Sequence, residues 1–223
     1  MNLALFDLDK TLIPIDSDHA WGEFLVRTGI VDSQAFKQAN DRFYANYVAG
    51  TLDIDEYLRF ALQPMAHKPI TEVNAWHADF MLTVIAPVIQ PIALELVQKH
   101  QANGDLCAIV TATNSFVTTP IAKAFGIEHL IACTCDTLPD GRLTGTSTGV
   151  PSFGEGKITR VNQWLTNLNL NFASFEKTWF YSDSRNDLPL LRKVSHPVAT
   201  NPDSVLLAEA TAKNWQTLEL FAS

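Results

Sequence analysis

Two carboxylates two residues apart, set directly behind a short apolar run, constrain this chain more than any other feature. Residues 2–6 read as a buried strand, and the acids follow at once in Leu5-Phe6-Asp7-Leu8-Asp9-Lys10-Thr11-Leu12. In a continuing strand alternate residues share a face, so Asp7 and Asp9 would point the same way; the strand therefore ends near Asp7. Two acids so placed repel each other unless a cation or a proton lies between them. A hard divalent ion such as Mg²⁺, which prefers oxygen ligands, suits the pair. Taken alone, the spacing is better explained by two acids that cap a following helix.

The rest of the chain changes rhythm once. From about Ser17 to Ile85 the pattern is helical. Helices are predicted from Ser17 or Asp18 to Thr28, then across Phe36, Phe43 and Tyr47 up to Gly50, then over Asp53–Leu62 and Thr71–Ile85. After Pro87, strands and helices alternate. Strands fall at Leu106–Val110, Leu130–Cys135, Trp179–Tyr181, Pro197–Ala199 and Trp215–Leu218. Helices fall at Pro91–Ala102, Phe116–Phe125, Lys157–Leu168, Asp187–Lys193 and Asp203–Thr211. Leu138–Gly149 is turn-rich, with Asp140-Gly141 at a hairpin tip.

This alternation predicts an α/β fold: a doubly wound, mainly parallel sheet covered on both faces. Residues 1–14 and 88–223 would form that core, and residues 15–87 an all-helical cap inserted after the first strand. Open sheets of this kind bind ligands at the carboxyl ends of their strands. Asp7, Thr111 and Asp183 each fall just past a predicted strand, so the fold would bring them together.

Three later segments supply partners for the first pair. Ile109-Val110-Thr111-Ala112-Thr113 is an apolar strand ending in hydroxyls. Lys157 opens a helix behind Phe153-Gly154-Glu155-Gly156. A lysine in a first turn opposes the helix dipole by about 0.3–1 kcal/mol, a cost better explained if its ammonium reaches an anion at that end. The run Tyr181-Ser182-Asp183-Ser184-Arg185-Asn186-Asp187-Leu188-Pro189-Leu190-Leu191 adds two acids four residues apart. Singly, each has a bland reading as a cap, a turn or a solvated side chain.

In order, the four segments resemble the four motifs of the haloacid dehalogenase superfamily in its phosphatase form, DxDxT. Ser182 stands where that family usually has glycine, as in its phosphoserine phosphatase-like subgroup (IB), and a helical insertion after the first strand matches the same subgroup. The resemblance implies covalent phosphoryl transfer: Asp7 as nucleophile, and Asp9 as the acid that protonates the leaving group and then as the base for water. It implies Thr111, the Ala112 N–H and Lys157 on the phosphate, and Mg²⁺ held by Asp7, Asp9, Asp183 and Asp187. Thr11, Ser182 and Asn186 would support the site. An acid two residues after the nucleophile makes dehalogenation improbable and leaves hydrolysis, or transfer to an alcohol acceptor, as the reaction.

Specificity should come from the cap. The resemblance sets Asp16 where phosphoserine phosphatases carry the Glu that meets the substrate ammonium. Asp16 and Asp18 equally suit helix capping, and that alternative stays open here. Arg42 or Arg59 would bind a substrate carboxylate; without an arginine in the site, an amino alcohol phosphate such as histidinol phosphate fits better than phosphoserine. The run Asp16-Ser17-Asp18-His19 is also similar to hydrolases of the subgroup described as histidinol-phosphatase-like.

The resemblance implies a small phosphomonoester as partner, and bulk properties argue against the larger ones. A net charge of −8 with no basic patch argues against nucleic acid, and no apolar run is long enough to span a bilayer. Three cysteines, Cys107, Cys133 and Cys135, are too few for a zinc site and read as small hydrophobes. With no secretory signal, they point to a reducing cytoplasm.

Overall fold

The computed structural model describes residues 1–221, apart from the side chain of Ser33. Its centre is β1 (Leu3–Phe6), buried on both faces. Successive side chains of a strand face opposite ways. Ala4 and Phe6 therefore enter one core with Trp21, Phe80 and Ile121, while Leu3 and Leu5 enter a second with Val161, Leu190 and Leu206. Double-sided burial is why this strand reads as an unbroken apolar run.

The helical stretch follows: α1 (Ser17–Arg27), α2 (Ser33–Ala49), α3 (Ile54–Leu62) and α4 (Ile70–Phe80). Asp16 caps α1 by accepting the His19 N–H at 2.8 Å, and Asp53 caps α3 through the Asp55 and Glu56 N–H groups. The expected helix to Ile85 is not uniform. It widens into a π turn over Met81–Ile85 and tightens into a 3₁₀ turn at Ala86–Val88, where Pro87 has no N–H to continue the ladder.

Beyond α5 (Pro91–Ala102), strands and helices alternate through β2 (Leu106–Asn114), α6 (Ser115–Ala124), β3 (His129–Thr137) and β4 (Leu143–Thr148). They continue through α7 (Glu155–Asn167), β5 (Thr178–Ser182), α8 (Leu188–Leu191), β6 (His196–Thr200), α9 (Ser204–Lys213) and β7 (Gln216–Leu218). The seven strands lie in the order β4-β3-β2-β1-β5-β6-β7, all parallel except the β3–β4 hairpin. No single helix among the described residues is long and apolar enough to cross a membrane.

One boundary needs correction. The sequence predicts that the second strand ends at Val110, but β2 runs on to Asn114, with a register shift against β3 between those two residues. Thr111 thus sits in an irregular strand end, within the register shift. Pairing of β2 and β5 with β1 stops at Phe6, opposite Ile109 and Tyr181. The next residues on all three strands meet at one edge of the sheet, and that edge carries the chemistry.

Candidate active site

Asp7 is the first residue past β1 and is 3% exposed. Its N–H donates to the Tyr181 carbonyl at 2.9 Å, which fixes the backbone where the strand pairing ends. Lys157, in the first turn of α7, is buried and donates to Asp7 Oδ1 at 2.8 Å and to Asp187 Oδ2 at 2.7 Å. The two carboxylates favour its charged form against the cost of burial. Gly156 makes the approach possible: a Cβ there would lie 2.1 Å from the Pro151 carbonyl oxygen.

Asp183, just past β5, joins through Thr11. The Thr11 hydroxyl lies 3.3 Å from Asp7 Oδ2 and 3.4 Å from Asp183 Oδ1, and it accepts the Asp183 N–H at 3.1 Å. Ser182 donates to Asp187 Oδ2 at 2.7 Å, so the hydroxyl that replaces a glycine orients an acid. Asn186 donates to the Tyr47 carbonyl at 3.1 Å and ties this loop to α2.

Asp9 is held differently. Its Oδ1 accepts the Ser17 N–H at 2.7 Å and its Oδ2 accepts the Thr113 hydroxyl at 2.8 Å. Burial, then the Asp16 charge, pushes its carboxyl up to about 6. A proton on Asp9 is therefore readily held and released near neutrality, as acid–base work requires. Between the two acids and Thr11 the chain turns through Lys10 at φ +57°, and Asn201 donates to the Lys10 carbonyl at 2.8 Å. From sequence, Ser17 reads only as a helix start within the Asp16–His19 run, and neither Thr113 nor Asn201 has a role beside the acids. Thr113 follows Thr111 at strand spacing, which was the available signal; Asn201 lies remote in the chain and gave none.

A narrow cleft opens over this edge, with Asp7, Asp9, Thr111 and Ala112 on its wall. Lys157, Asp183 and Asp187 are buried outside the lining, with Lys157 bonded to Asp7 and Asp187. The helical stretch supplies the far wall through Asp16, Asp18 and the stripe Asn40, Phe43, Tyr44 and Tyr47 on α2, joined by Tyr57 on α3. That stripe has helical spacing and was legible only in part. Arg42 and Arg59, expected as carboxylate-binding residues, do not reach the cleft. Both are exposed; Arg42 is a step round the helix from the stripe, with its guanidinium 3.8 Å from Glu56. Among the described residues no lysine or arginine lines the cleft.

The acids outnumber their counter-charges. Burial pushes Asp7 up to about 7 against the pull of Lys157, with Asp187 and Asp9 adding to the rise. Burial, then Asp7 and Asp187, holds Asp183 well above the carboxylate range. Three buried carboxylates around one ammonium form an all-oxygen donor set of the kind Mg²⁺ prefers, and a divalent ion would offset the excess charge. Among the described residues no three His, Cys, Asp or Glu side chains already stand as a ready ligand cage. Lys157 instead bridges Asp7 and Asp187.

Comparison with known proteins bears on this arrangement. The sequence model of the haloacid dehalogenase-like hydrolases matches residues 4–192. A histidinol-phosphatase of Neisseria meningitidis serogroup C (strain 8013) is 49% identical, over 97% of this chain and 98% of that protein. A protein of unknown function from Bordetella pertussis Tohama I superposes with a TM-score of 0.93 at 48% identity, covering 99% of both chains. A substrate-bound phosphoserine phosphatase shares the fold, with a TM-score of 0.69 at 17% identity over 97% of this chain and 91% of that one. The carboxylates gathered at the sheet edge thus sit in a chain that belongs to the haloacid dehalogenase-like hydrolases, and within them it is a phosphatase of phosphoric monoesters.

Proposed function

We propose that this chain hydrolyses a small phosphomonoester through an aspartyl-phosphate on Asp7. In the first step a carboxylate oxygen of Asp7 attacks phosphorus, the ester P–O bond breaks, and the Asp9 carboxylic acid protonates the leaving alkoxide. In the second, water attacks phosphorus, the bond to Asp7 breaks, and Asp9 takes the water proton. Thr111, the Ala112 N–H and Lys157 hold the phosphoryl oxygens. Mg²⁺ would be held by Asp7, the Asp9 carbonyl, Asp183 and Asp187, and would neutralise charge on the phosphoryl group. Thr11, Ser182 and Asn186 keep these groups in place.

The observation that carries this reading is the double anchoring of Asp9, one oxygen on the Ser17 N–H and the other on the Thr113 hydroxyl. One bond ties Asp9 to the first residue of α1 and the other to the end of β2, so the carboxyl is fixed in orientation near Asp7, where the proposed proton transfer takes place. Residues 1–14 and 88–223 are read as the core and 15–87 as the cap that closes over the substrate and excludes water. Among the described residues the cleft is lined by no arginine or lysine, and Asp16 and Asp18 stand on its wall, which favours an amino-bearing ester such as histidinol phosphate over one carrying a free carboxylate, such as phosphoserine.

The test is a panel of phosphomonoesters assayed with Mg²⁺, wild type against Asp7→Asn. Turnover by the wild type and none by a folded Asp7→Asn protein are expected. Retained turnover in that variant rejects the nucleophile, and equal rates for amine-bearing and amine-free esters reject the substrate class. Assay with added glycerol separates hydrolysis from transfer, since a transferase would yield glycerol phosphate.

A further inference from the structure

Tyr47 has no task in the reaction just described, yet it is where the helical stretch grips the acid-bearing loop behind β5. It lines the cleft from the last turn of α2. Its hydroxyl is hydrogen-bonded to the Ser184 side chain, and the charges of Asp183, Asp7 and Asp187 all bear on it. Its carbonyl accepts the Asn186 side chain at 3.1 Å, so one residue holds the loop twice. Its ring centroid lies 6.3 Å from that of Phe153, in the segment that leads into α7 and Lys157.

The end of α2 is shaped to the same loop. Gly50 closes the helix in the left-handed region at φ +73°, and a Cβ there would lie 3.2 Å from Arg185 Nε and 3.6 Å from Asn186 Oδ1. From Ser184, hydrogen bonds run on to the acids. The Ser184 hydroxyl accepts the Asn186 N–H at 3.2 Å, and the Ser184 N–H donates to the Ser182 hydroxyl at 3.2 Å. That hydroxyl in turn donates to Asp187 Oδ2 at 2.7 Å. Ser182, Ser184 and Asp187 are all buried, so water does not compete along this path.

We propose that Tyr47 is a positioning residue for the divalent ion: it fixes the loop that carries Asp183 and Asp187, so tight holding of Mg²⁺ requires α2 to be seated on residues 184–186. The inference rests on the phosphomonoesterase reading and adds to it a link between the helical stretch and the ion. Groups that orient ligating carboxylates change metal affinity without touching the metal. The link is reciprocal, so the bound ion would favour the seated position of α2 by the same factor.

The experiment titrates MgCl₂ into the whole protein by calorimetry, for wild type, Tyr47→Phe, Ser184→Ala and the double variant, alongside melting curves in EDTA. Tyr47→Phe keeps the ring and the carbonyl contact and removes only the hydroxyl. Its Kd for Mg²⁺ should rise by roughly 3- to 10-fold, the worth of one hydrogen bond. Ser184→Ala cuts the same bond from the other side and serves where Tyr47→Phe does not fold. The double variant should lose little more than the weaker single variant, since both remove one interaction. A lower melting temperature in EDTA with an unchanged Kd would make Tyr47 a packing residue and overturn the proposal, as would losses that multiply in the double variant. If the wild type hydrolyses phosphomonoesters with Mg²⁺ while the variants keep its Kd, the link alone fails. A wild type that neither binds Mg²⁺ nor hydrolyses any phosphomonoester overturns both readings.

Discussion

At the scale of single residues, the site depends on groups that touch two acids at once. Lys157 bridges Asp7 and Asp187, so Lys157→Met would leave two buried carboxylates facing each other with no ammonium. Removing one partner of a buried ion pair costs about 3–5 kcal/mol, and loss of a phosphate donor costs roughly 10²–10³-fold in kcat. Urea unfolding and steady-state assays measure the two losses; a variant that keeps wild-type kcat would remove Lys157 from the phosphate. Ser182→Ala tests the neighbouring contact. It deletes the donor at 2.7 Å from Asp187 Oδ2 but leaves Lys157 in place, so the expected destabilisation is smaller. A bond to a charged group is worth about 1.5–3 kcal/mol, and an unchanged urea midpoint would show that Ser182 does not support Asp187.

At the scale of elements, the start of α7 shows how backbone shape reaches the chemistry. The Pro151 carbonyl approaches Gly156 so closely that any Cβ would lie 2.1 Å from its oxygen. Gly156→Ala must shift the loop or the first turn, and overpacking of this kind costs about 1–3 kcal/mol. Because Lys157 is the next residue, kcat should fall along with stability; a fall in stability alone would mean that the turn yields without moving the ammonium. The sequence around it made α7 and its lysine legible, since Gly-Glu-Gly ahead of a helical pattern marks a helix start. Strands buried on both faces were equally legible as apolar runs, and β1, β5 and β6 lie close to where they were expected. What stayed hidden depends on tertiary contacts. The extension of β2 to Asn114 comes with a register shift against β3, which local pattern cannot encode. The direction of Arg42 follows from which face of α2 meets the cleft, and the partners of Asp9 come from residues 8 and 104 positions away.

At the scale of the whole molecule, the acids give the fold an unusual dependence on pH. Burial raises Asp7 to about 7, Asp9 to about 6 and Asp18 to about 8, and Asp183 rises with them. In the unfolded chain each would titrate at the ordinary aspartate value of 3.8. Between that value and about 8 the native state therefore binds more protons than the unfolded state, and stability falls as pH rises. These groups contribute most below pH 3.8, and the contribution fades as each raised pKa is passed. Each extra proton held changes stability by about 1.4 kcal/mol per pH unit. His77, buried and bonded to the Val117 carbonyl at 3.0 Å, works in the opposite sense. Burial lowers it below 6.5, so it costs stability only as pH drops below that value. Several acids outweigh one imidazole, and in EDTA the melting temperature should decline from pH 5 to pH 8. A divalent ion needs the ionised carboxylates, so its stabilisation should grow over the same interval. At a concentration 100 times its Kd, Mg²⁺ would add about 2.7 kcal/mol, largest at pH 8, and would flatten or reverse the decline. Melting curves at pH 5, 6.5 and 8, with EDTA and with Mg²⁺, separate the terms: a melting temperature that climbs with pH in EDTA would mean the buried acids are already ionised and neutralised by the protein itself. The same decline with and without the ion would mean that Asp7, Asp183 and Asp187 hold no metal.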